Sequence, residues 1–143
     1  MLKQITVFLE NKPGRLEGVT GCFAEGGVNL HALSIADTTD FGILRIIVSE
    51  PTQAAAMLKE KGYMVKLNNV VAVAIGHSPG SLHKVVQTLR ELDISIEYMY
   101  SLTSRHNDHD VIVIFRFDNQ EDVEKKLADN GITVLSELGG VEK

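Results

Sequence analysis

Asn11-Lys12-Pro13-Gly14-Arg15-Leu16 and His77-Ser78-Pro79-Gly80-Ser81-Leu82 stand 66 residues apart, and they decide the fold because each is the hinge of the same succession of signals. In both, Pro-Gly ends an extended apolar segment and a helical pattern begins. The offset of 66 also lays Val28-Asn29-Leu30 on Ile94-Ser95-Ile96, while an offset of 69 lays Leu58 and Gly62 on Leu127 and Gly131. The chain is thus an internal repeat whose second copy carries three extra residues. They fit the polar stretch 104–110, which is seven residues long where the first copy has four at 38–41.

Working outward, Ile5, Val7 and Leu9 alternate with Gln4, Thr6 and Phe8 before the first hinge, and residues 70–75 are a continuous apolar run before the second. Both read as strands. After the second hinge, Leu82, Val85, Val86, Leu89 and Leu92 form one stripe of an amphipathic helix. The first copy keeps Leu16, Val19 and Phe23, but Gly18 and Gly21 each cost about 1 kcal/mol relative to Ala, which predicts close packing against a neighbour. Two strands follow in each copy, at 29–37 and 42–48 and at 95–103 and 111–117, and they should pair as hairpins. Ser49-Glu50-Pro51 announces a second helix with Pro at its first position, Asp118-Asn119 are the N-cap candidates in the second copy, and Gly62 and Gly131 close these helices. Last strands at 63–67 and 132–135 complete the order strand, helix, strand, strand, helix, strand. The fold class is α+β, with two ferredoxin-like units at 1–68 and 69–143 packed side by side. Ile43 to Val48, and Val111 to Phe117 apart from Arg116, put apolar groups on both strand faces, so the face away from the helices is expected to meet another sheet in a homodimer or larger assembly.

Hydrophobic residues make up 44% and Gly plus Pro only 15 of 143, which excludes extended disorder and collagen-like repeats. A single cysteine, Cys22, excludes an internal disulfide framework and is most simply a packed thiol. The formal charge of −5 argues against tracking a nucleic-acid backbone. No apolar run approaches a membrane span and no leader pattern opens the chain, so the expected setting is the cytoplasm, with neither nucleic acid nor membrane as partner.

The repeated Pro-Gly turn carries the chemistry. It sits where the N–H groups of a helix start are unpaired, and such groups attract anions. Gly14 and Gly80 let a carboxylate approach the backbone, and Asn11 offers both a donor and an acceptor beside the turn. An ordinary surface turn is the competing reading. Asn29 opens a strand where a β-branched residue forms strand better, and its carbonyl suits an ammonium group; a plain turn asparagine is again the alternative. If the second strand of one copy lies beside the helix start of another, Asn29 approaches the turn at 77–80 and Ser95 the turn at 11–14. That cleft has what a free amino acid requires.

Both copies resemble ACT domains, the small ligand-binding modules of many enzymes of amino-acid metabolism, and the whole chain is similar to stand-alone tandem ACT proteins. The resemblance rests on Phe8-Leu9-Glu10-Asn11-Lys12-Pro13-Gly14-Arg15-Leu16 and Gly27-Val28-Asn29-Leu30. It implies a non-catalytic sensor of a free amino acid at an interface of two domains, acting through a partner such as an enzyme of amino-acid metabolism. The contact residues it implies are Asn11, Lys12, Pro13, Gly14, Arg15, Leu16, Asn29 and Leu30, with His77, Pro79, Gly80, Ser81, Ser95 and Ile96 in the second copy. In serine-regulated members, asparagines at the positions of Asn11 and Asn29 contact the ligand. A histidine that some members carry two residues before the first asparagine is Leu9 here, and the second copy has His77 and Ser95 for the two asparagines, so the two sites are not equivalent.

Other candidates point elsewhere. His106, Asp108, His109 and Asp110 have the chemistry of metal ligands but unspecific spacing in a solvated loop, and no metal or cofactor is expected. His31 and Glu97 hold equivalent strand positions and could pair or contact a ligand, with a partly exposed polar face as the simpler reading. Tyr98, Tyr100 and Phe41 can stack on a ligand ring or fill core. No nucleophile with a base, and no paired acid and base, converges on one segment, so catalysis is not expected. Arg15 is the residue that an acylphosphatase-like reading would need, and an RNA-recognition module lacks its aromatic strand motif here. The rival to the sensor is a structural oligomerisation module with degenerate sites.

Overall fold

The computed structural model describes residues 1–37, 41–102 and 110–138. The chain divides into two compact units, one of residues 3–68 and one that begins at Asn69 and includes Met1 and Leu2.

The first unit holds β1 (Leu2–Glu10), α1 (Arg15–Gly26), β2 (Leu30–Asp37), β3 (Phe41–Val48), α2 (Pro51–Glu60) and the start of β4 (Met64–Gly76). Its strands run in the order β2-β3-β1-β4. The antiparallel register sets Ile5 opposite Ile46 and Val7 opposite Leu44, and these residues share one face with Leu9 and Val48. Val19, Cys22 and Phe23 of α1 and Ala54, Ala55 and Leu58 of α2 close over that face, so the helical stripe and the strand alternation meet in one core. A Cβ on Gly18 would run into the Tyr63 hydroxyl, which is the close packing expected of this glycine. Gly21 meets nothing, and packing does not explain it.

The second unit repeats the order with the rest of β4, α3 (Ser81–Glu91), β5 (Ile96–Ser101), β6 (Asp110–Phe117), α4 (Val123–Asp129) and β7 (Thr133–Leu135). β4 pairs antiparallel with β6 and β7, and β6 with β5. Val71, Val73, Phe115 and Phe117 pack under Val85, Leu89, Val123 and Leu127, with the two phenylalanine rings stacked at 5.4 Å. Both units are therefore ferredoxin-like βαββαβ folds of the α+β class. No helix among the described residues is long and apolar enough to cross a membrane.

Several expectations need correction. The separate strands expected at 63–67 and 70–75 are one strand, because Asn68-Asn69 lacks a Gly or Pro to break the extended backbone. Asp118 and Asn119 do not cap α4. Their side chains accept bonds from the nearby N–H groups of Asn119 and Glu121, and the helix starts only at Val123, after Asp122 with φ 54°. His31 is buried, not partly exposed. It is the extra residue of a bulge where Leu30 and Ala32 face the consecutive Val48 and Ile47, and Glu97 is the extra residue of the matching bulge in β5. Tyr98 and Tyr100 stack on each other at 6.5 Å and stay half-buried, so neither simply fills the core.

Candidate functional site

The two Pro-Gly turns are alike in detail. Gly14 and Gly80 both have φ 88°, each immediately precedes its helix, and each carbonyl accepts the first helical bond, from Gly18 at 3.0 Å and from Lys84 at 3.1 Å. Neither helix start carries a side-chain cap among the described residues. The turn thus presents backbone N–H groups and the positive end of the helix dipole at one place, an anion-attracting arrangement. Only the φ value demands glycine at position 14, since a Cβ there would meet nothing. Gly14→Ala is therefore expected to destabilise the chain by about 1–2 kcal/mol. Gly21→Ala, in open space on a helix, is expected to stabilise it by about 0.5–1 kcal/mol. Urea titrations followed by circular dichroism read both, and effects of equal sign contradict the assignment.

Asn11 lies at the mouth of the first turn. Its Nδ2 donates to Asp37 Oδ1 at 2.9 Å, and its Oδ1 would stand 3.4 Å from a Cβ built on Gly42. Gly42 at the start of β3 thereby leaves room for the amide, a role the sequence reading missed although a glycine beginning a strand is itself a signal of close approach. Lys12 pairs with Glu10 at 2.8 Å and Arg15 reaches it at 3.4 Å. The Lys12 ammonium, bonded to it, and the Arg15 guanidinium hold the Glu10 carboxyl below the usual carboxylate range. Because its folded value is depressed, this pairing stabilises above the ordinary carboxylate pKa and is lost as pH falls through the lowered one. Pro13 is exposed, and Leu16 is 39% exposed.

In the second unit the turn borders a concavity of about 350 Å³. His77, Ser78 and Pro79 form one side and Leu82, Val111 and Val113 the other. Val111 occupies the position of Gly42, so the room left beside Asn11 has no counterpart here. Ser81 Oγ is spent on Ser78 Oγ at 2.8 Å. Leu82 and Val111 read from the sequence as helix stripe and strand, not as residues beside this turn.

The remaining residues lie elsewhere. The Asn29 backbone carbonyl accepts a bond from Ser49 N–H at 3.2 Å, and the Ser95 backbone carbonyl accepts the equivalent bond from Asp118 N–H at 3.2 Å. Leu30 and Ile96 begin the edge strands β2 and β5. β2 runs from Leu30 to Asp37, beside Asn11, a span of about 23 Å at roughly 3.3 Å per residue. Asn11 and Asn29 are therefore at opposite ends of one strand. Within a single unit they cannot touch the same amino acid. Of the metal candidates, His106, Asp108 and His109 lie outside the described residues, and Asp110 opens β6. The described residues hold no group of three or more potential metal ligands.

Comparison with known proteins adds to this geometry. The family described as an ACT domain pair matches residues 1–139. Protein BT0572 from Bacteroides thetaiotaomicron, of solved structure, is 40% identical over 94% of this chain and 91% of its own, with a TM-score of 0.86. The regulatory subunit of aspartate kinase from Thermus thermophilus is 18% identical over 90% of each chain, with a TM-score of 0.68, a likeness of fold. The corresponding subunit from Thermus flavus is 18% identical over 88% of each chain, with a TM-score of 0.62. No protein of curated function matches. Two βαββαβ units, each hinged on the same uncapped Pro-Gly turn, and a family match that spans both, make this chain a member of the ACT family, an ACT domain pair.

Proposed function

We propose that the chain is a non-catalytic sensor in which domains 1–68 and 69–143 take part in binding a free amino acid, and that it regulates an enzyme of amino-acid metabolism as a homodimer or larger assembly. The observation that carries this reading is the placement of Asn11 and Asn29 at opposite ends of β2. One ligand meets both kinds of residue only when a second edge strand lies antiparallel beside the first, which sets the 11–16 turn of one domain against the Asn29 or Ser95 end of another. The edges suit this. Among the described residues β2 pairs only with β3 and β5 only with β6. Leu33 and Ile35, 38% and 53% exposed, lie on the helix side of β2, and Met99 does so on β5.

In the assembled cleft the helix-start N–H groups hold the ligand carboxylate and the Asn29 carbonyl its ammonium. Lys12, Pro13, Gly14, Arg15, Leu16 and Leu30 shape the first kind of site. His77, Pro79, Gly80, Ser81, Ser95 and Ile96 shape the second, which is more apolar. The aspartate kinase subunits named above are regulatory, which supports the same role here. The test is thermal unfolding of dialysed protein against each of the twenty amino acids. One amino acid is expected to raise the midpoint selectively, with about 2.7 kcal/mol of stabilisation at a hundred times its dissociation constant. Asn11→Ala or Asn29→Ala is expected to weaken binding by about 1–3 kcal/mol. No shift with any of them, and no amino acid released on denaturation by mass spectrometry, leaves the structural module instead.

A further inference from the structure

We propose that the first domain carries a separate site for a planar aromatic carboxylate, in the cleft bounded by the end of β1, the start of α1 and the turn from α2 into β4. The cleft encloses about 520 Å³, within the range of small-molecule pockets. Phe8 and Phe41 meet edge to face at 5.9 Å and 77° on one side, and Tyr63 and Met64 stand on the other. Phe41 is 40% and Met64 69% exposed, apolar surface that a bound ring covers. Arg15 and Lys66 outnumber the one lining carboxylate, Glu10, which Lys12 and Arg15 already neutralise. The Lys66 ammonium lies 5.9 Å from the centre of the Phe8 ring, so a ring stacked among these residues places its carboxylate beside a cation.

The second domain supplies an internal control. The same cleft recurs there at about 460 Å³, but with Ala74, Gly76, Ser81, Ile132 and Thr133 where the first has Phe8, Glu10, Arg15, Tyr63 and Met64. The fold makes the cleft in both domains. It does not require aromatic rings to line it, and only the first domain has them; the second has Lys84 with Glu91 and no ring among its lining residues. Arg15 borders both this cleft and the amino-acid site, but neither Asn11 nor Asn29 lines the cleft, so binding here is separable from the amino-acid reading by their variants.

The experiment is a calorimetric titration of the full chain with indole-3-acetate as probe and indole-3-acetamide as its uncharged counterpart. Saturable binding of one probe per chain is expected, about tenfold weaker for the acetamide and about tenfold weaker in Lys66→Glu, whose exposed position leaves folding intact by circular dichroism. Asn11→Ala is expected to bind the probe unchanged. Absence of saturation, equal affinity for the two probes, or unaltered binding by Lys66→Glu overturns the site. Loss of probe binding in Asn11→Ala also overturns it and moves the probe to the strand edge.

Discussion

Phe23→Ala is expected to lower folding stability by about 3–5 kcal/mol, read as a fall in the urea midpoint by circular dichroism. Phe23 is 1% exposed and sits where α1 closes over Ile5, Val7 and Leu58, so truncation removes its transfer free energy and leaves a cavity that two helices and a sheet cannot collapse into. The loss is a large part of the 5–15 kcal/mol that holds an ordinary domain folded. Leu16→Ala on the same helix is the control. Leu16 is 39% exposed, and its truncation should cost well under half as much. Equal effects would mean that α1 does not pack as described.

Ile35→Lys is expected to raise the dissociation constant of the assembled chain about a hundredfold, which corresponds to about 2.7 kcal/mol. The position lies on the helix side of an edge strand, and pairing that edge with a second copy buries it. A lysine there brings an unpaired charge into the interface, where desolvation costs several kcal/mol. Gln53→Lys, on the exposed side of α2, adds the same charge away from the edge and should leave assembly unchanged. Sedimentation of both variants beside the parent chain reads the effect. A parent that sediments as a monomer at tens of micromolar ends the edge-to-edge reading.

The order of elements was legible because glycine and proline punctuate it. Pro13-Gly14, Pro79-Gly80, Gly62 and Gly131 mark turns whose φ values few other residues adopt, and all four glycines have positive φ. Burial was legible at Ile5, Val7 and Leu9 but not at Gln4 and Thr6, which alternate with them and are buried as well. What escaped was whatever depends on a single residue of register. The bulges at His31 and Glu97 insert one residue into a period of two, and the expected exposed face holds at Glu97 but fails at His31, which is buried. The run from Met64 to Gly76 read as two strands because the repeat gives the first copy its own last strand and the second copy its own first strand. The separation of Asn11 from Asn29 is a fact of topology. It follows only once β2 is known to run parallel to β1, through β3.

The bulges also bear on solubility. A chain with two apolar edge strands can in principle add copies end on end, each new molecule offering a fresh edge, and such growth stops only by precipitation. The irregularity at His31 confines regular pairing along β2 to residues 32–37, and the one at Glu97 confines it along β5 to residues 98–101. A bulge increases local twist, and a short, twisted edge is a poor template for a flat, extended ribbon. The same two residues that break the strand pattern thus shorten the regular edge that a further copy would have to match.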